Sequence, residues 1–131
     1  MKTLKEFSEI LNKKSILNLA IIKKNGLPHV SPIWFSDDRE NGIIFINTAT
    51  GRVKSALDVG SKVAGSILDP DNDYSYLGFE GTITERIMGE EAERHIDQLA
   101  KRYLGKDKYP YRSSDEKRIK LIIKVDKVSG R

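Results

Sequence analysis

The sequence contains no cysteine, which excludes disulfides, thiolate metal sites and thiol nucleophiles together. Histidine is scarce as well. His29 and His95 are the only two imidazoles; they lie far apart and lack the i, i+4 spacing of a helical zinc pair, so no metal centre is expected. Long apolar runs are missing: Leu19 to Ile22 and Gly42 to Ile46 are among the longest, far short of the roughly 20 residues a membrane-spanning helix needs. Lys5, Glu6 and Glu9 interrupt any apolar signal segment near the N-terminus. A soluble, cytoplasmic protein with no membrane partner is therefore expected. No repeat or low-complexity tract is present, and no G-x-G-x-x-G follows an apolar run, which disfavours a βαβ dinucleotide fold.

What is present suits one folded domain spanning residues 1–131. Hydrophobic residues make up 38% and charged residues 32% of the chain, enough apolar material at this length to bury about two-thirds of the surface. The formal charge is +4, and its placement is uneven. Residues 101–131 hold eleven Lys and Arg against four Asp and Glu, a local +7 that leaves −3 for residues 1–100. Such a tail is either a solvated face or a surface for an anionic partner: nucleic acid, membrane or a phosphorylated small molecule. Neither an RNP-like aromatic motif nor a helix-turn-helix accompanies it, so no nucleic-acid partner is expected.

Thr3-Leu-Lys-Glu6 has the form of a capping box, and Leu4, Phe7, Ile10 and Leu11 then predict a short amphipathic helix. Ser15 to Ile22 reads as a strand, followed by Asn25-Gly26, a pair suited to a two-residue hairpin turn. A second strand, Leu27 to Ser36, contains Pro28 and Pro32, which cannot donate to a ladder and so place it at an edge or a bulge. Gly42 to Thr48 predicts a third strand and Arg52 to Val59 a short helix ended by Gly60. Lys62 to Leu68 and Tyr74 to Met88 are two further strands across a turn at Asp69 to Asp73, with Gly78 and Gly81 marking a bulge or bend. Gly89 to Leu104 carries acids at its start, bases at its end and a stripe of Ala92, Ile96, Leu99 and Tyr103, the mark of an amphipathic helix. Arg118 to Val128 closes the chain as a half-exposed strand. Six strands in an antiparallel meander with three helices predict a mainly β protein built as a small barrel with helices attached.

Two segments could carry chemistry. Asn47-Thr-Ala-Thr-Gly-Arg-Val-Lys54 lies where a strand gives way to a helix, so free N–H groups, Thr48 or Thr50 hydroxyls and the Arg52 and Lys54 cations could cradle a phosphate. The plainer alternative is an ordinary loop with two solvated cations. Two cations at a helix start oppose the dipole, and an external anion would resolve that conflict. In Pro28-His-Val-Ser-Pro-Ile-Trp-Phe35 the prolines free main-chain groups from regular pairing, so Pro32, Ile33 and Trp34 could border a flat heteroaromatic ring. Alternatively, Trp34 and Phe35 are packing aromatics of a bulged strand. Tyr74-Ser-Tyr76 offers a third group of aromatic contacts or simple strand packing.

The order Asn25-Gly26-x-Pro28-x-Val30-Ser31-Pro32-x-Trp34-Phe35, Thr48 to Lys54, Asp69-Pro70, Glu80-Gly81-Thr82, helix and Arg118 to Val128 resembles the pyridoxamine 5′-phosphate oxidase-like split-barrel family. It resembles especially the short branch that uses either FMN or the deazaflavin coenzyme F420. The resemblance implies a six-stranded split β-barrel homodimer with two cofactor clefts at the dimer interface. It implies that Arg52 and Lys54 hold the cofactor phosphate with Asn47 and Thr48 close by, and that Pro32, Ile33 and Trp34 border the ring. Tyr76, and less directly Tyr74, would approach from the other subunit, and the segment Lys108 to Arg112 would line the same cleft. The chain ends Lys127-Val-Ser-Gly-Arg131 without the substrate motif of pyridoxamine phosphate oxidase proper, which argues against pyridoxamine phosphate as substrate. FMN needs only the phosphate cradle, whereas the acidic oligoglutamyl tail of F420 could also use the C-terminal basic excess.

The resulting expectation is an FMN- or F420-dependent oxidoreductase acting on a small redox substrate, with the cofactor ring supplying hydride chemistry and the protein supplying position and charge. No catalytic acid or base is required. The alternative is a protein of the same fold that binds a flavin or another phosphorylated ligand without turnover.

Overall fold

In the computed structural model, which describes residues 1–131, the strands form one antiparallel sheet. They are β1 (Leu17–Ile22), β2 (Pro28–Ile33), β3 (Phe35–Asp38), β4 (Ile43–Ala49), β5 (Lys62–Asp69), β6 (Asn72–Met88) and β7 (Arg118–Gly130). Their order across the sheet is β2-β1-β5-β6-β7-β4-β3. β2 and β3 are thus the two edges, yet Trp34 alone separates them in sequence. A seven-stranded sheet can satisfy that connection only by curling until its edges lie side by side.

The expected second strand, Leu27 to Ser36, is therefore two strands, and the sheet has seven strands where six were expected. Ile33 pairs with Leu17 of β1, but Phe35 pairs with Ile46 of β4. The segment changes partner at Trp34, and a change of partner ends a strand. The edge position expected from Pro28 and Pro32 is borne out. The Asn25-Gly26 turn is looser than the two-residue form. Five residues, 23–27, connect β1 to β2, and of that pair only Gly26 has positive φ, whereas a type I′ turn needs it at both central positions.

Alternation builds the core. Leu17, Leu19 and Ile21 of β1 are buried while Asn18, Ala20 and Ile22 face outward, and the inward residues of β4, β5, β6 and β7 join them in a cluster of 19. Each large side chain there contributes about 1.5–3 kcal/mol of burial. The N-terminal segment adds Leu4, Phe7, Ile10 and Leu11, as a 3-10 turn (Leu4–Phe7) followed by one α-helical turn, α1 (Ser8–Leu11), where a continuous helix was expected. The Thr3 N–H does donate to Glu6 Oε2 at 3.4 Å. Gly81 sits at a bulge between β6 and β7; a Cβ there would lie 2.6 Å from Ile123 Cγ2 and 2.8 Å from the Lys124 carbonyl, so only glycine lets the strands close.

The long helix, α2 (Glu90–Leu104), buries Ala92, His95, Ile96, Leu99 and Ala100 and ends at Gly105, whose φ of +70° suits a residue without Cβ. Arg102 anchors it. Its guanidinium donates to the Phe35 carbonyl at 2.7 Å and to the Leu11 and Lys13 carbonyls at 2.8 Å, and the Tyr103 hydroxyl donates to the Ser15 carbonyl at 2.7 Å. Residues 105–117 then return along α2: the Tyr109 N–H and the Arg112 guanidinium both donate to Asp97 Oδ1 at 2.9 Å. No helix is long and apolar enough to cross a membrane.

Candidate functional site

A cleft of about 470 Å³ opens between the β2–β3 corner, the end of β4, α2 and the 105–117 segment. Seven residues singled out from the sequence line it: Pro32, Ile33, Trp34, Asn47, Thr48, Arg52 and Lys54. The sheet curl brings the two segments together, since β2 is one edge of the strand order and β4 lies next to the other edge, β3. Tyr76 is not among them. It lies half-buried on β6, paired with Leu68, and Tyr74 is 80% exposed. Tyr109 and Tyr111 also line the cleft, but Lys108 and Arg112 pair with Asp97 and Glu93 of α2.

The aromatic wall is built in layers. Trp34 stacks on Tyr103, with centroids 5.2 Å apart and planes within 5°, and meets the edge of Tyr109 at 6.0 Å. Tyr111 meets Tyr109 in turn at 5.7 Å. Ile96 and Leu99 from α2 complete an apolar surface beside the cations. Cleft size and this mixture of apolar wall with few polar groups match small-molecule sites in general.

The polar side differs from expectation in one respect. Arg52 to Val59 is not a helix but a single 3-10 turn at Val53–Ala56, too short for an appreciable helix dipole. Attraction for an anion rests on side chains. Lys54 is half-buried and forms no ion pair; burial, and then the neighbouring Arg52 charge, push its ammonium below the usual lysine value. Thr48 lines the same cleft. Arg52 is 65% exposed and donates to Glu116 Oε1 at 3.1 Å.

Asn47, which lines the cleft, is also engaged within the chain. Its amide donates to the Ala92 carbonyl at 2.9 Å and to His95 Nδ1 at 3.2 Å, while its Oδ1 accepts from Arg118 Nε at 2.8 Å. Because Nδ1 accepts, the His95 proton resides on Nε2, which donates to Ser36 Oγ at 2.9 Å. Burial, together with the Lys120 and Arg118 cations, pushes the imidazole down to about 4. The chain Ser36–His95–Asn47–Arg118 thus fixes a buried guanidinium in the cleft. Burial lowers Arg118 from the usual guanidinium value, and its guanidinium lies 5.2 Å over the Tyr109 ring. Sequence reasoning placed Arg118 only at the start of a strand; no local pattern marks it, because the hydrogen-bond partner that fixes it, Asn47, lies 71 residues away on β4.

The basic C-terminal excess is largely used inside the chain. Lys101, Lys108, Arg112 and Lys120 pair with Asp107, Asp97, Glu93 and Glu91, and Arg102 serves backbone carbonyls. Burial alone would raise the Asp97 carboxyl, but the Tyr109 N–H and the Arg112 and Lys108 cations hold it below the usual carboxylate range. Lys108, Arg112 and Lys120 thus serve as counter-charges to acids of α2.

Comparison with known proteins agrees with this architecture. An F420 reductase superposes with a TM-score of 0.76 at 23% identity, covering 93% of this chain and 94% of that one. A pyridoxinephosphate oxidase family protein from Clostridium acetobutylicum, related to general stress protein 26, gives 0.65 at 17% identity over 98% and 87%. The heme storage protein HutZ from Vibrio cholerae gives 0.62 at 19% identity over 99% and 95%. These likenesses concern the fold, which hosts both reductase and storage proteins. No curated protein matches the sequence. The family model for pyridoxamine 5′-phosphate oxidase, however, matches residues 3–130, and the chain therefore belongs to the pyridoxamine 5′-phosphate oxidase family.

Proposed function

We propose that the cleft binds FMN or coenzyme F420 and that the protein is an oxidoreductase using that cofactor on a small-molecule substrate. The observation that carries this reading is Lys54: a half-buried ammonium without a carboxylate partner, lining the same cleft as Arg52, Thr48 and the Trp34 wall. A desolvated cation of this kind is stabilised by an anion from outside the chain. The donor set fits a phosphate, and Pro32, Ile33 and Trp34 fit the edge and face of a flat ring. The bound cofactor would supply hydride chemistry. The chain would orient the ring against Trp34, hold the phosphate at Arg52 and Lys54, and exclude water with Ile96, Leu99 and Tyr109. No carboxylate or histidine is among the residues that line the cleft, although Glu116 reaches its Arg52 and Arg118, so protons would reach the reacting atoms from solvent.

A lining with neither carboxylate nor histidine also suits a second reading, binding of a flavin or other phosphorylated ligand without turnover. We further propose a homodimer of split barrels in which Tyr76 of one copy approaches the cleft of the other. Exposed Ile22, Val30 and Leu68 on β1, β2 and β5 support this.

The test is titration of the purified protein with FMN and with F420, following Trp34 emission and ligand absorbance, with light scattering on the same samples for the mass. Arg52→Ala and Lys54→Ala should each weaken binding about tenfold or more, the value of a charge-assisted hydrogen bond. Unchanged affinity in the double variant, or no binding of either cofactor, overturns the reading. Turnover with a panel of electron donors and acceptors separates enzyme from binding protein.

A further inference from the structure

Glu116 lies between two of the cleft's cations. Its Oε1 accepts from Arg52 Nη2 at 3.1 Å and its Oε2 stands 3.8 Å from Arg118 Nη1. The second distance is too long for a hydrogen bond. Arg118 therefore makes a side-chain hydrogen bond only through Nε, to Asn47, and its terminal nitrogens keep their donors although the side chain is only 9% exposed. The terminal nitrogens have no hydrogen-bond partner in the chain and are open to the cleft, which both arginines line, so an anion there can accept from them. The Glu116 backbone is held: its N–H donates to the Ser113 carbonyl, and the next residue, Lys117, exchanges hydrogen bonds with Thr50. The carboxylate can leave by side-chain rotation alone.

We propose that Arg118 belongs to the anion site with Arg52 and Lys54, and that the Glu116 carboxylate occupies that site until the phosphate of an incoming ligand displaces it. The inference rests on the reading of the cleft as a phosphate-ligand site. A phosphate monoester brings up to two negative charges and three acceptor oxygens, so it can satisfy both guanidinium groups and Lys54 where one carboxylate serves Arg52 well and Arg118 poorly. A ring without a phosphate has nothing to exchange for Glu116. The contact thus weakens binding of the phosphorylated form of a ligand alone and keeps Arg52 paired in the free protein.

The test compares FMN with riboflavin, the same ring system without phosphate, on the full chain at fixed low ionic strength, with melting temperature as a check on folding. Glu116→Gln keeps shape and removes charge. It should tighten FMN binding by at least about threefold, the equivalent of one lost competing ion pair, and leave riboflavin unchanged. In an Arg118→Met background the gain should shrink; in Arg118→Lys, which keeps the charge without the planar fork, part of it should remain. Glu116→Gln binding FMN no more tightly than wild type overturns the proposal and identifies Glu116 as a clamp that positions the arginines. An equal gain for riboflavin also overturns it. Wild-type protein that binds FMN no better than riboflavin overturns the phosphate reading of the cleft itself, an outcome distinct from the other two.

Discussion

Acid should loosen this protein through one residue, His95. The imidazole is 2% exposed, accepts from Asn47 at Nδ1 and donates to Ser36 from Nε2, and faces Phe45 on β4 and the Arg118 and Lys120 cations of β7. A second proton on Nδ1 would oppose the Asn47 amide hydrogens and stand near two positive charges. The folded state therefore binds that proton less readily than the unfolded chain, with a pKa of about 4 against the ordinary 6.5. Stability from this source is complete above 6.5, falls as the pH drops towards 4 and changes no further below it. At 1.36 kcal/mol per pKa unit, the full effect is about 3 kcal/mol. Between pH 7 and pH 4.5 about 2 kcal/mol of it should disappear. Urea unfolding at the two pH values measures this directly. Asp69 and Asp97, whose carboxyls are held below 3.8, weaken the fold only at lower pH. His95→Gln, which cannot titrate, should be less stable at pH 7 but lose about 2 kcal/mol less than wild type on acidification. Equal losses in the two proteins would refute the assignment of the acid sensitivity to His95.

Two further substitutions probe the frame around the site. Gly65→Ala would place a Cβ 2.6 Å from Leu17 Cδ1 and 2.7 Å from Phe79 Cε1, and overpacking of this kind should lower stability by about 1–3 kcal/mol in a denaturant melt. Arg102→Met should cost about 2–4 kcal/mol, because the carbonyls of Leu11, Lys13 and Phe35 lose a charged donor. Protection of the β3 and α2 amides in hydrogen exchange should fall with it.

The β elements were legible because their signals are local. Alternation in Leu17 to Ile22 and turn residues at Asp69 to Asp73 mark strands without reference to neighbours, and Gly81 marked a bulge that the register confirms. The division of Leu27 to Ser36 at Trp34 was not legible, because it depends on which strand pairs with each half. The helix expected after Arg52 failed for a similar reason. Val53, Ala56 and Leu57 have helical spacing, but Leu57 turns into the core at once, and only one 3-10 turn fits.

Seven of the eight residues nominated for the site meet in one cleft, since each nominated segment carried its own chemistry: prolines and an indole in one, hydroxyls and cations in the other. Arg118, Glu116 and the His95–Asn47 pair escaped notice because their meaning lies in contacts with Asn47 and Arg52 across 48 to 71 residues of chain. The C-terminal +7 shows the same limit. Counted along the sequence it reads as a solvated face or a surface for an anion, whereas in space Lys108, Arg112 and Lys120 pair with acids of α2. Hydrophobic periodicity, turn chemistry and the lack of cysteine follow from residue order and determined a mainly β, metal-free expectation on their own. Which charges are paired, which donor is left over and which residues face one cleft depend on distances across the curled sheet, and only the tertiary structure decides those.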